Sequence, residues 1–189
     1  SFHAVETHGL DRTEGHDLSA LPEQCFEEGA HIGALSQPEE FSIRLANFQS
    51  GLSAAPVRGK RLGWRDHNED VTIDQVNFDP DAVVHAPGIV QAVPVERDAD
   101  MIAAFPNGYF TVDLTPFELH MVATDLEKIG YKLIALGASY VAFWAEALLD
   151  DAQVALRSQI VAGLYHDADI DALNESVEGA RHLILRYTD

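Results

Sequence analysis

Thr115-Pro116-Phe117-Glu118, followed by Leu119, Val122, Leu126 and Ile129 and closed by Gly130, is the stretch from which the fold of this chain is read. The threonine hydroxyl can accept from the amide three residues on, proline suits the first helical position, and the glutamate carboxylate reaches back to the threonine amide. The apolar residues fall at i, i+3, i+7 and i+10, one stripe of an amphipathic helix, and glycine accepts the left-handed conformation that ends it. A helix is expected from Pro116 to about Ile129.

Outward from that helix, Tyr131 to Leu136 and Tyr140 to Trp144 are apolar runs joined by Gly137-Ala138-Ser139, the pattern of two strands and a tight hairpin. Asp150 or Asp151 can cap a second helix with Ala152, Leu156, Ile160 and Leu164 on one face, and His182 to Tyr187 reads as a closing strand. On the other side, the short apolar run Asp100 to Phe105 stops at Pro106-Asn107-Gly108, as a buried strand does. Residues 98–189 therefore follow the βαββαβ order of a ferredoxin-like sandwich, an antiparallel sheet with two helices on one face.

Residues 1–97 lack sustained helical periodicity and are punctuated by proline. A helix is expected from about Pro22 to Ala34. Strands are expected over Phe41–Leu45, Val57–Trp64, Val71–Phe78 and Ile89–Val95, the first and third with period-two alternation. The fold class is α+β: a β-rich, loop-rich N-terminal region packed on a ferredoxin-like domain.

Charge is the least ordinary feature. There are 31 Asp and Glu against 12 Lys and Arg, a formal net charge of −19. Nucleic acids and anionic lipids are held by Lys and Arg, so direct nucleic-acid binding and membrane-surface binding are disfavoured. No apolar run approaches the ~20 residues that span a bilayer, and the first residues resemble no secretory leader. With Cys25 as the one cysteine, neither an intramolecular disulfide nor a multi-thiolate site can form, and a reducing, cytoplasmic setting is expected. The acidity fits either a solubility or salt-adapted surface, or a face made for a basic partner.

Between Asp66 and Glu127 the acidic residues accumulate with Arg97 as the single basic one, and Arg58, Lys60, Arg61 and Arg65 cluster just before. Asp66, Glu69, Asp70, Asp74, Asp79 and Asp81 are thus candidates for contact with a basic protein. The basic cluster, interleaved with Gly59, Gly63 and Trp64, is a candidate anion-binding segment, although its glycines do not follow the order of a nucleotide-binding loop.

Asp167, Asp169, Asp171, Glu175 and Glu178 occupy loop positions 1, 3, 5, 9 and 12 of a calcium-binding loop, and such converging oxygens suit Ca2+. Ala172 replaces the required glycine, and Asn174 the apolar residue. The competing reading is a helix capped by Asp169 or Asp171. A second partial match, Asp66 to Asn77, also lacks the glycine.

Nine histidines include no metal-binding pair at helical spacing; His67, His120 and His166 have carboxylates near in sequence. Ser139 lacks the context of a nucleophile elbow. The residues favour a non-catalytic binding or regulatory protein with a basic macromolecular partner, in the manner of an inhibitor, an immunity protein or a nucleic-acid mimic. The alternatives are a small metal-binding protein or metal-dependent hydrolase using Asp and His clusters, and a small-molecule sensor with a pocket lined by Phe105, Tyr109, Phe143 and Trp144.

Overall fold

The computed structural model describes residues 45, 46, 48–52, 62–66, 70–83, 95–104, 113–137 and 139–188. After helical residues 48–52 come β1 (Leu62–Gly63), β2 (Arg65–Asp66), β3 (Val71–Thr72) and α1 (Ile73–Phe78). A 3-10 turn over Pro80–Val83 and a 3-10 helix over Asp98–Ala104 lead to α2 (Pro116–Glu127). Then follow β4 (Tyr131–Leu136), β5 (Tyr140–Ala145), α3 (Asp151–Ala162), β6 (Tyr165–His166), α4 (Ile170–Ser176) and β7 (His182–Arg186).

The opening stretch folds as its chemistry dictates. Thr115 Oγ1 accepts from the Glu118 amide at 3.3 Å, and the Glu118 carboxylate accepts from the Thr115 amide at 2.8 Å. Leu119, Val122, Leu126 and Ile129 are buried, and Gly130 ends the helix at φ +99, where a Cβ would be strained.

The main sheet has strand order β4-β5-β7 with both pairings antiparallel. A bulge between Leu133 and Ala135 inserts one residue, so Leu133 and Leu136 both reach the core while Ile134 turns outward. Two smaller pairs complete the strands among the described residues: β1 runs parallel to β6, and β2 is antiparallel to β3. One core cluster joins Phe48, Leu62, Trp64 and Ile73 to Leu119, Val122, Phe143, Leu183 and Tyr187.

The architecture is α+β, but it departs from the expected sandwich. Asp98–Ala104 is a 3-10 helix rather than a strand: Ala99, Ile102 and Ala103 are buried, a helical spacing hidden inside a short apolar run. β7 therefore pairs directly with β5, with no strand of a split βαβ unit between them. The third of the expected first-half strands, Val71–Phe78, is also corrected, since only Val71–Thr72 is extended. Thr72-Ile73-Asp74-Gln75 is a capping box in which Gln75 Oε1 accepts from the Thr72 amide at 2.9 Å, and that local bond outweighs the alternation.

The expected β-richness of the first half reduces, among its described residues, to the two-residue strands β1, β2 and β3. Leu45 is helical rather than extended. The Pro22–Ala34 helix and the remaining parts of the Phe41–Leu45, Val57–Trp64 and Ile89–Val95 expectations lie outside the described residues. On α3, Asp150 caps as expected, accepting from Gln153 N at 2.8 Å. The helix turns Arg157 and Val161 inward, however, and leaves Leu156 46% exposed.

The Asn77 side chain ties α1 to the sheet. Asn77 Nδ2 donates to Ile73 O and Ile184 O, each at 2.8 Å, and Asn77 Oδ1 accepts from Ile184 N at 2.8 Å. Asn77→Ala leaves these buried partners unsatisfied and is expected to destabilise the protein by about 3 kcal/mol, at about 1 kcal/mol or more per bond. Urea unfolding measures it; a loss below about 1 kcal/mol would contradict this role.

Candidate docking groove and its surroundings

β2 and β3 form a short ribbon ending at Asp70, which has φ +54, a left-handed conformation that Asp tolerates better than most residues. Arg65 Nη1 donates to Asp70 Oδ1 at 2.7 Å across the ribbon. One turn into α1, Asp74 Oδ1 accepts from Trp64 Nε1 at 3.1 Å, and the Trp64 ring meets Tyr165 edge-on at 5.5 Å.

α1 packs against α4 as well as β7. Between the two helices lies a groove of about 530 Å³ lined by Asp70, Val71, Asp74, Gln75, Phe78, Asp79, Ala172, Glu175 and Ser176. Four of these residues carry carboxylates and none carries a cation. Phe78 is 81% exposed, an unusual display for a large aromatic side chain. The groove thus joins acidic residues from two stretches about a hundred positions apart in the chain.

The other candidate residues separate. Asp79 lines this groove and Asp81 is exposed on the following 3-10 turn. Asp66 is only 5% exposed; its Oδ2 accepts from Tyr140 Oη at 2.6 Å and lies 4.0 Å from Arg186 Nε. Arg186 Nη2 donates to Gly63 O at 2.8 Å and Arg65 O at 3.0 Å, so Asp66 and Arg186 tie the small strands to the main sheet. Glu69, Arg58, Lys60 and Arg61 lie outside the described residues, and Arg65 is engaged by Asp70.

The calcium-loop residues do not form a joint site. Asp167 is exposed with φ +52. Asp169 caps α4, accepting from the Ala172 amide at 3.0 Å. Asp171 and Glu178 are exposed, and Glu175 faces the groove. In the second partial match, Asp66, Asp70, Asp74 and Asn77 have the separate partners just described. Among the described residues, no three His, Cys, Asp or Glu side chains converge as ligands for a metal ion.

Of the histidines, His67 lies outside the described residues and His166 is exposed at the end of β6. His182 Nε2 donates to Asn77 O at 2.9 Å. His120 is buried, and its partner is Asp100 rather than Glu118: Nε2 donates to Asp100 Oδ1 at 2.8 Å. Sequence spacing does not join this pair, because the run from Asp100 to Phe105 reads as a strand. Arg97 and the Ala99 amide both bond Glu127, at 3.0 and 2.8 Å, so the 3-10 helix is pinned to α2 from three positions. Phe48 stacks on Phe117 and meets the His120 ring edge-on, both at 5.3 Å.

The proposed aromatic lining also separates. Phe105 and Tyr109 lie outside the described residues, Phe143 is in the core, and Trp144, its strand neighbour, points to the opposite face at 41% exposure. On that face Lys132 pairs with Glu146 at 2.5 Å. Their hydrogen bond, with their mutual charge, raises the Lys132 pKa and lowers that of Glu146.

Arg157 is buried with Nη2 on Asn174 Oδ1 at 2.7 Å, Nη1 on Tyr131 Oη at 3.4 Å, and, among the described residues, no partner at Nε. Asn174→Asp supplies a counter-charge to this guanidinium and is expected to stabilise by about 1 kcal/mol after desolvation, read as a rise in Tm; a fall would contradict it.

Tyr165 is buried and donates to Arg186 O at 2.6 Å. Burial pushes its phenol well above the usual range, outweighing the opposing charge of Arg186. A raised folded pKa contributes stability that is full below the unfolded value of about 10 and is lost as pH rises beyond it. Tyr165→Phe should therefore reduce the alkaline loss of stability above about pH 10, while costing about 1 kcal/mol at neutral pH for the lost bond. Urea midpoints across that range test both.

Comparison of the chain with protein-family models, with curated proteins and with solved structures returns no match.

Proposed function

We propose that this chain is a non-catalytic binding protein that engages a basic protein through the groove between α1 and α4. The observation that supports this reading most directly is the gathering of Asp70, Asp74, Asp79 and Glu175 around an exposed Phe78. Like charges held together repel one another in the free protein, and a cationic partner relieves that repulsion while covering the ring.

A formal net charge of −19 extends the attraction beyond the groove. Long-range complementarity speeds encounter and turns the partner toward the most negative face, whereas the apolar ring contributes to how long the complex lasts. Among the described residues, no helix is long and apolar enough to cross a membrane. The same negative charge opposes nucleic acid and anionic lipid.

A polycationic peptide is the direct probe. Binding is expected at low ionic strength, weakening steeply as salt is added, because screening acts over roughly 10 Å at 0.1 M. The double variant Asp79→Asn with Glu175→Gln should slow association about tenfold at low salt, measured by stopped-flow fluorescence. Salt-independent binding, or no binding at low salt, would remove the basis of this reading.

A further inference from the structure

Resting on that docking reading, we infer that the α1–α4 groove selects a guanidinium: its occupant is an arginine-bearing segment of the partner, with arginine against Phe78 and the neighbouring carboxylates. Two observations lead to this chemistry. The groove combines an exposed aromatic ring with four carboxylates; among the described residues its lining holds no cation, and of the four carboxylates Asp70 is engaged by Arg65 from outside the lining. A lysine ammonium is a compact, strongly hydrated charge, whereas guanidinium is planar, less hydrated, stacks on aromatic faces and forks onto carboxylates.

The protein also provides an internal example of the contact. Arg65 Nη1 lies 2.7 Å from Asp70 Oδ1 and 3.4 Å from Asp70 O, so a groove carboxylate already receives a guanidinium. That pair is largely exposed, with side chains at 50% and 85%.

Other occupants fit less well. A purely apolar helix would bury carboxylates without counter-charges, which costs more than the ring returns. A divalent cation requires converging ligands, and no group of three converges among the described residues.

The test uses the full chain and two fluorescein-labelled peptides of equal length and charge, an Arg-Gly repeat and a Lys-Gly repeat, followed by anisotropy at low salt. The arginine peptide is expected to bind about three- to tenfold more tightly, the range of a cation–π contact with an added fork. Phe78→Ala should abolish that preference, and an unchanged melting curve would show that the fold is intact; Phe78→Trp should retain the preference. Equal affinities, or a preference that survives Phe78→Ala, overturn the guanidinium inference and leave the docking reading standing. Displacement of both peptides by calcium, but not by magnesium at the same concentration, assigns the groove to a metal and also overturns the inference. Failure of both peptides to bind overturns the docking reading itself.

Discussion

The edge of β7 is closed by the carboxamide of Asn77, which meets both the N–H and the C=O of Ile184 at 2.8 Å. A strand edge left open is a site for unwanted pairing. Here one side chain takes the place of a neighbouring strand and fixes α1 in register with β7. The same residue donates to Ile73 O within its own helix and accepts from His182 through its backbone. With Ile73, Val76 and Asn77 turned inward, the helical repeat leaves Phe78 on another face. The exposure of that ring follows from how Asn77 is held.

The negative charge is divided between two kinds of work. Asp66, Asp100 and Glu118 are buried, bonded respectively to Tyr140, His120 and the Thr115 amide. Glu127 holds the start of the 3-10 helix. Asp66, Asp100 and Glu127 join segments distant in sequence, whereas Glu118 closes the cap of its own helix. Asp79 and Glu175 instead remain on the exterior beside Phe78. A high formal charge thus includes structural members as well as a surface, and composition alone does not separate them.

Local chemistry made the second half readable. Thr115-Pro116-Phe117-Glu118 and the Asp150 cap are complete within one helical turn, and β4, β5 and β7 declare themselves as short apolar runs around a glycine turn. The misreadings had equally local causes. Asp98–Ala104 is too short an apolar run for its period to be resolved, and at Thr72–Gln75 alternation and a capping box compete for the same residues. On α3 the apolar stripe pointed to Leu156, whereas Arg157 is drawn inward by Tyr131 and Asn174.

The sequence by itself determined the α+β class, the α2 cap, the hairpin and the excess of carboxylates, because each depends on neighbours within a few residues or on composition. Only tertiary structure decided which acids are buried and which meet. Asp74 and Glu175 share a groove, and Asp100 reaches His120, because hydrogen bonds and core packing bring remote segments together; spacing along a chain carries no record of such encounters.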